Sequence, residues 1–323
     1  MQKMKKIRIG FTGFWPNFNP ENNYFTNILR KQYEVEVTDN PDFLFYSVFS
    51  EEYLKYDCIR IFYTGECVIP DFNLCDYAVG GDFITFGDRY LRLPISLRYT
   101  IEEKEERSVQ LAEKWMESKT EFCSFVYSNA GADETRTKLY EKLNQYKVVN
   151  SGGRYRNTVG GPVDDKLKFE EKHLFSIACE NSSYPGYSTE KIVQSFWAHT
   201  IPIYWGDPLI GWAFNEKAFI NFHTYSSVDA VVDKVIELDR NRDDCIQMLG
   251  QPIWNPNFSP SEYYNMVLDF FYHIVDQPIE QAKRRNDSFW GQMYEKQAYK
   301  NGLREDRIRR AHEMLRDVKK KFE

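Results

Sequence analysis

The chain has 323 residues, with 42 Lys and Arg against 48 Asp and Glu and a formal net charge of −6; this is ample for two domains with sizeable cores and argues against a generic nucleic-acid binder, whose footprint is basic. Six cysteines, at 58, 67, 75, 123, 179 and 245, form neither a CxxC pair nor a tight cluster with histidine, which points to a reduced, metal-free cytosolic protein. No stretch approaches the roughly 18 apolar residues that cross a membrane, and the basic start runs into Arg8 and Pro16-Asn17 without a small-residue cleavage site, so a signal peptide is not expected.

In chain order, 7–11 reads as a strand, 23–31 as a helix, and 33–37, 43–48 and 58–63 as strands. Thr64-Gly65-Glu66 then stands at a strand's carboxyl end. The polar stretch 101–117 has helical character, and 122–127 opens a second alternating series, which places a domain boundary near 118. Residues 135–144 read as an exposed amphipathic helix carrying Arg136. Ser151-Gly152-Gly153-Arg154 is neither GxGxxG nor a P-loop and reads as a turn. Two successive βα series argue for two Rossmann-like domains facing each other across a cleft.

The most informative stretch starts at the apolar strand 174–179, which ends in Glu180 and Asn181. A loop with Pro185-Gly186 follows. Thr189, Glu190 and Lys191 then open a segment whose apolar residues Ile192, Val193, Phe196 and Trp197 recur at helical spacing, with Ser188 or Thr189 as its cap. The chain turns apolar again at Ile201 and Ile203 before the breaker Gly206-Asp207-Pro208. Strand, loop, helix and strand make a βαβ unit, in which ligands sit beyond the carboxyl ends of the strands and the first helical amides form an anion site. Lys191 adds a full charge there, and Glu190 is placed to accept from sugar hydroxyls rather than to face a phosphate. A merely solvated first turn is the alternative. An aromatic share of 16%, with 22 Tyr, 24 Phe and 7 Trp, also suits a carbohydrate cleft, where rings pack on the apolar faces of sugars.

Tyr187-Ser188-Thr189-Glu190-Lys191 resembles the donor-binding motif of the α-1,3/4-fucosyltransferases. Phe62-Tyr63-Thr64-Gly65-Glu66, Phe72-Asn73-Leu74, Asp76-Tyr77-Ala78-Val79-Gly80 and Asp88-Arg89-Tyr90-Leu91-Arg92 resemble the family's amino-terminal signature, and Ser128-Asn129 with Arg136 resembles the start of its second domain. Between Glu180 and Tyr187 the chain departs from the many relatives that carry glutamine or histidine near the middle of the loop. The resemblance implies an α/β protein of GT-B architecture: an acceptor-binding domain over 1–118, a GDP-fucose-binding domain over 119–275, and a charged helical segment over 276–323. It also implies an inverting α-1,3-fucosyltransferase, with α-1,4 linkage left open, acting on GlcNAc or glucose of lactosamine- and lactose-type acceptors.

Under that reading Glu66 is the base, a role that inverting displacement requires on the acceptor side. Arg136 and Lys191 meet the diphosphate, Asn181, Tyr187 and Glu190 hold the donor, and Phe14 and Trp15 are placed to read the acceptor. GDP-L-fucose and an oligosaccharide are the expected partners. No cofactor or essential divalent metal is expected, because the sequence holds no Asp-any-Asp triplet and two fixed cations can do the electrostatic work. Another GT-B transferase and a catalytically silent sugar or nucleotide binder remain the alternatives; an oxidoreductase lacks its glycine fingerprint here. Lys283-Arg284-Arg285 and the stripe Leu303, Ile308, Ala311, Met314, Leu315, Val318 and Phe322 lie in the last segment. That helix is expected to pack on the first domain, pair with another subunit, or lie against the inner membrane from the cytoplasm.

Overall fold

The computed structural model describes residues 4–102 and 106–320, the side chains of residues 306 and 309–320 excepted. Six parallel strands, β1 (Lys6–Thr12), β2 (Glu34–Val37), β3 (Phe43–Tyr46), β4 (Ile59–Tyr63), β5 (Tyr77–Gly80) and β6 (Tyr90–Arg92), lie in the order β2-β1-β3-β4-β5-β6. Every residue of β3, β4 and β5 is buried, as expected of central parallel strands covered on both faces. The edge strand β2 instead exposes Glu34 and Glu36. Two helices accompany this sheet, α1 (Tyr24–Arg30) and α2 (Ile95–Thr100), whereas the next, α3 (Val109–Glu117), buries Ala112 and Met116 in a separate core with Cys123, Phe125 and Val149. Asn23 caps α1 by accepting from the amides of Phe25 and Thr26. Within the stretch read as helical over 101–117, regular helix resumes only at Val109, where Ser108 accepts from the Leu111 amide at 3.2 Å; residues 103–105 lie outside the described part.

A second parallel sheet comprises β7 (Glu121–Phe125), β8 (Val149–Ser151), β9 (His173–Cys179), β10 (Ile201–Trp205) and β11 (Ile220–Asn221), in the order β11-β10-β9-β7-β8. Its helices are α4 (Glu134–Tyr146), α5 (Lys166–Glu170), α6 (Glu190–Trp197), α7 (Val228–Asp239) and α8 (Arg242–Leu249). The two sheets confirm the two Rossmann-like series of the sequence. Each runs outward to one neighbour and then reverses, giving a topological switch point between β1 and β3 and another between β7 and β9.

The remaining helices, α9 (Pro260–Asp276), α10 (Ile279–Ala282) and α11 (Phe289–Lys320), follow the second series in sequence but return to the first sheet. Val267, Phe271 and Ile274 of α9 are buried in one core with Ile7, Ile9, Phe25 and Phe45, and the Phe271 ring lies 5.8 Å from that of Phe25. Ala298 and Tyr299 of α11 pack on a cluster beneath β3 and β4. The basic cluster is neutralised by the first domain: Lys283 pairs with Asp57 at 2.9 Å, Arg284 with Asp88 at 2.7 Å, and Arg285 with the buried Asp76. Of the apolar stripe on α11, Leu303 and Ile308 are exposed; Ala311, Met314, Leu315, Val318 and Phe322 lie outside the described side chains.

Asp76 holds this return in place. Its carboxylate accepts from the Arg60 amide at 2.7 Å and from the Arg284 and Arg285 amides at 2.7 and 2.8 Å, as well as from the Arg285 side chain. Removing one partner of a buried ion pair typically costs about 3–5 kcal/mol. Asp76→Asn is therefore expected to lower stability by about 3 kcal/mol or more in urea denaturation and to render the segment after residue 282 sensitive to limited proteolysis.

Candidate active site

The site is assembled at the switch point of the second sheet, where the loops after β7 and β9 separate. Arg136, in the first turn of α4, is only 1% exposed, although the polar helix around it reads as a surface element. Its guanidinium lies 4.0 Å from the centre of the Tyr127 ring and donates to Asn181 Oδ1 at 3.3 Å and to the Asn129 carbonyl. Its Nε is buried without a hydrogen-bond partner among the described residues. A buried cation with a spare donor and no carboxylate on it suits an anionic ligand. Asn181, which spends its carbonyl oxygen on Arg136, has its amide nitrogen available to the same ligand. The Asn181 carbonyl accepts from the Asp133 amide at 3.0 Å, which ties the two loops together.

Glu180, at the end of β9, is fully buried. It accepts from the Thr189 amide and hydroxyl, both at 2.7 Å, and from Lys191 Nζ at 2.8 Å. Gly206 leaves room for it, since a Cβ there would stand 2.3 Å from Glu180 Cγ. Thr189 is the N-cap of α6 by position, yet its hydroxyl serves Glu180 instead of the helix amides. Burial opposes the charge on Lys191, but the Glu180 carboxylate outweighs it and the ammonium's pKa is raised. Of the three donors an ammonium carries, Glu180 takes one and Thr189, at 3.0 Å, another. The third is left for a ligand. Glu190 lies 3.9 Å from Lys191 and is partly exposed. Sequence reasoning placed Lys191 and Glu190 here but assigned Glu180 no role; the signal was a carboxylate closing an apolar strand eleven residues before a lysine at a helix start.

Across the cleft stands Glu66, exposed in the loop after β4. It shares a cleft with Tyr187, Gly186, Tyr184 and Asp82, so residues from both domains meet there. Burial, aided by Glu66, Asp82 and Glu180, pushes the neighbouring Cys67 thiol up to about 11. Burial likewise raises the Tyr187 phenol, with Glu180 and Glu66 contributing. The two domains touch through backbone at this point: a Cβ on Gly186, whose φ is +92°, would lie 2.1 Å from the Gly81 carbonyl oxygen. Arg92 locks the contact. Its Nε donates to the Gly81 carbonyl at 2.9 Å, its guanidinium lies 3.8 Å from the Phe83 ring centre and 4.3 Å from that of Trp212, and Nη2 faces the buried Asp207 at 3.8 Å.

Phe14 and Trp15 follow β1 at the switch point of the first sheet, in a rosette with Phe11 and Phe18. Phe14 stacks on Phe18 at 4.2 Å and faces Tyr63 at 6.2 Å, and Trp15 is 38% exposed. Arg154 is exposed, in a loop whose Gly153 is pressed against the Tyr127 backbone. Among the described residues no three His, Cys, Asp or Glu gather into a metal-binding group, and no helix is long and apolar enough to cross a membrane.

Two family models match in succession: the α-(1,3)-fucosyltransferase FucT N-terminal domain over 9–99 and the C-terminal part of glycosyltransferase family 10 (fucosyltransferase) over 116–265. An α-(1,3)-fucosyltransferase FucT of Helicobacter pylori is 32% identical over 299 residues, covering 79% of this chain and 62% of that protein. A putative fucosyltransferase of Acanthamoeba polyphaga mimivirus is 25% identical, covering 76% of this chain and 42% of its own length. The chain thus spans about two to three fifths of the length of these relatives. A crystal structure of an α1,3-fucosyltransferase with GDP-fucose superposes with a TM-score of 0.69 at 27% identity, covering 86% of this chain and 94% of that one. Anabaena HepE, solved with UDP and glucose, shares only the fold, at 8% identity and a TM-score of 0.50. With both halves of the family's pattern matched in order on two facing Rossmann-like sheets, the chain belongs to the α-1,3/4-fucosyltransferase family of GT-B glycosyltransferases.

Proposed function

We propose that the chain transfers L-fucose from GDP-L-fucose, with inversion, to the 3-hydroxyl of GlcNAc in N-acetyllactosamine-type acceptors, and that it does so without an essential divalent metal. The observation that carries this reading is the convergence of Arg136, Asn181 and the Glu180-anchored Lys191 at one switch point, opposite Glu66. The solved relatives with GDP-fucose and with GDP support the choice of nucleotide. In the step proposed, the acceptor oxygen bonds to the anomeric carbon of fucose while the bond from that carbon to the diphosphate oxygen breaks. The acceptor proton passes to the Glu66 carboxylate, and the electron pair leaves with GDP. Arg136 Nε and the third donor of Lys191 meet the charge that grows on the diphosphate, the work a metal does in many transferases.

Glu190 accepts from ribose hydroxyls, Tyr187 flanks the nucleotide, and Asn181 holds the donor beside Arg136. Phe14 and Trp15 offer apolar faces to the acceptor. Six free thiols suit a reducing compartment, and we place the protein in the cytoplasm. Mass spectrometry of N-acetyllactosamine incubated with the protein and GDP-fucose, with and without EDTA, tests the whole reading: the product gains one deoxyhexose in both cases. Protection against heat by UDP and not by GDP would transfer the reading to another sugar nucleotide.

Two substitutions separate the roles. Glu66→Gln is expected to lower kcat by about 10²–10⁴-fold, the usual worth of a general base, with GDP affinity by calorimetry within twofold; near-wild-type turnover removes Glu66 as the base. Lys191→Ala is expected to weaken GDP binding about 10–100-fold, as loss of a charge-assisted hydrogen bond does. It is also expected to lower Tm, because Glu180 is left buried without its cation. Unchanged GDP affinity contradicts a phosphate role.

A further inference from the structure

A second concavity opens beside the reacting cleft and takes no part in the mechanism above. It encloses about 530 Å³, within the range of small-ligand sites. Its floor is aromatic: Trp212, in the single turn that follows β10, Phe258, just before α9, and Tyr263, in the first turn of α9. The Trp212 ring meets Phe258 edge-on at 5.1 Å and Tyr263 edge-on at 5.4 Å. Asn255, Asn257 and Glu262 supply polar groups at the rim. Solvent reaches the site, since Trp212 is 40% exposed and Asn257 and Glu262 are exposed as well.

The rings are fixed in place. Asn255 donates from its backbone amide to the Ala213 carbonyl at 2.8 Å and from its side chain to the Gly211 carbonyl at 2.6 Å, which ties the returning segment to the turn that bears Trp212. Phe214, Trp254 and Phe258 stack in series behind it, at 5.4 and 5.2 Å. The Arg92 guanidinium holds Trp212 itself, 4.3 Å from the ring centre. A lone exposed tryptophan calls for no explanation. One held rigid over a cavity, with further rings beside it and polar groups at the rim, is preorganised for a ligand.

This platform continues the cleft. Gly81 and Asp82 line the cleft with Glu66. Arg92 spans the gap from the Gly81 carbonyl to the Trp212 ring, and the exposed ring of Phe83, next in the chain to Asp82, meets Trp212 edge-on at 6.1 Å. The platform also stands apart from the proposed diphosphate site: Arg136 follows β7 and Lys191 follows β9, whereas Trp212 follows β10, which lies on the other side of β9 from β7. Glu262 is the only charged side chain lining the cavity among the described residues. An anion therefore meets a carboxylate there, with Arg92 behind Trp212 and faced by Asp207, and a cation leaves the amide donors of Asn257 unused. A neutral saccharide uses every group, its apolar faces on the rings and its hydroxyls on amide and carboxylate. We propose that this cavity is a subsite for acceptor sugars beyond the one that reacts, so that the protein favours oligosaccharides over a disaccharide. This rests on the fucosyl-transfer reading and names a determinant of acceptor length.

Initial rates with N-acetyllactosamine and with the linear tetrasaccharide of two such units, and calorimetry with GDP, are measured on wild type, on Trp212→Leu and on the double variant Asn257→Ala with Glu262→Ala. Wild type is expected to show a kcat/KM about tenfold higher for the tetrasaccharide, mainly through KM, well beyond the factor of about two that two acceptor units give by number. The double variant lies outside the Arg92 clamp. It is expected to lower that preference about threefold, with disaccharide kinetics and GDP affinity within about twofold of wild type. Trp212→Leu is expected to reduce the preference to the numerical factor alone. A preference that survives both sets of substitutions overturns the proposal. A preference lowered only by Trp212→Leu, with a fall in disaccharide kcat, reports a disturbed clamp and overturns it as well. Weakened GDP binding in the double variant with an unchanged preference assigns the cavity to the nucleotide and also overturns it. If wild type binds GDP but transfers fucose to neither acceptor, the functional reading fails and takes this inference with it; transfer to both acceptors without preference overturns this inference alone.

Discussion

A fully buried carboxylate at the end of a central strand must find its partners within the protein, because an uncompensated charge there costs more than most single contacts supply. Glu180 finds them in the Thr189 amide, the Thr189 hydroxyl and Lys191 Nζ. Those three bonds close the loop 181–188 onto its own helix and set the direction in which α6 leaves the sheet. They also hold the pKa of Lys191 up against burial, which by itself lowers it. The second domain's side of the cleft, the position of Tyr187 and the approach of α6 to α2 all follow from that tie.

The facing domain meets this loop with very little side chain in between. Gly81 and Gly186 bring two backbones into contact that any Cβ would separate, and beside them the Ser96 amide and hydroxyl reach the Ser188 carbonyl and hydroxyl at 3.1 and 2.7 Å. Arg92, held between Phe83 and Trp212, connects Gly81 to the side of Asp207. Asp207 in turn accepts from the Leu209 amide at 2.8 Å, so the loop after β10 belongs to the same assembly. The cleft is therefore narrow because it is built of glycine, serine and one clamped arginine. The return of α9 and α11 to the first sheet, pinned by Asp76, adds a second connection between the halves.

The two sides of the cleft differ in kind. On the second sheet the ligand-facing groups are cations held by carbonyls and a buried carboxylate, suited to a diphosphate whose charge grows as it leaves. On the first sheet they are an exposed carboxylate, Glu66, and the aromatic faces of Phe14 and Trp15.

Much of this was legible in the residues. The apolar runs at β1, β4, β9 and β10, the turn at Gly206-Asp207-Pro208 and the helical spacing of Ile192, Val193 and Phe196 are local patterns, and local patterns report which face of an element is buried. That was enough to place Glu66 and Lys191 at strand and helix ends facing a cleft. Local patterns do not report which core an element joins or which distant charge it meets. Arg136 sits on a polar helix that looks exposed, and only the switch point, by bringing Asn129, Tyr127 and Asn181 around it, makes it a buried cation. Lys283-Arg284-Arg285 looks like a free basic patch until Asp57, Asp88 and Asp76, some 200 residues earlier in the chain, neutralise it. Periodicity along the chain thus determined the elements and the ends where chemistry could sit; the pairing of buried charges across the chain, which depends on three-dimensional proximity and desolvation, was decided by the tertiary structure alone.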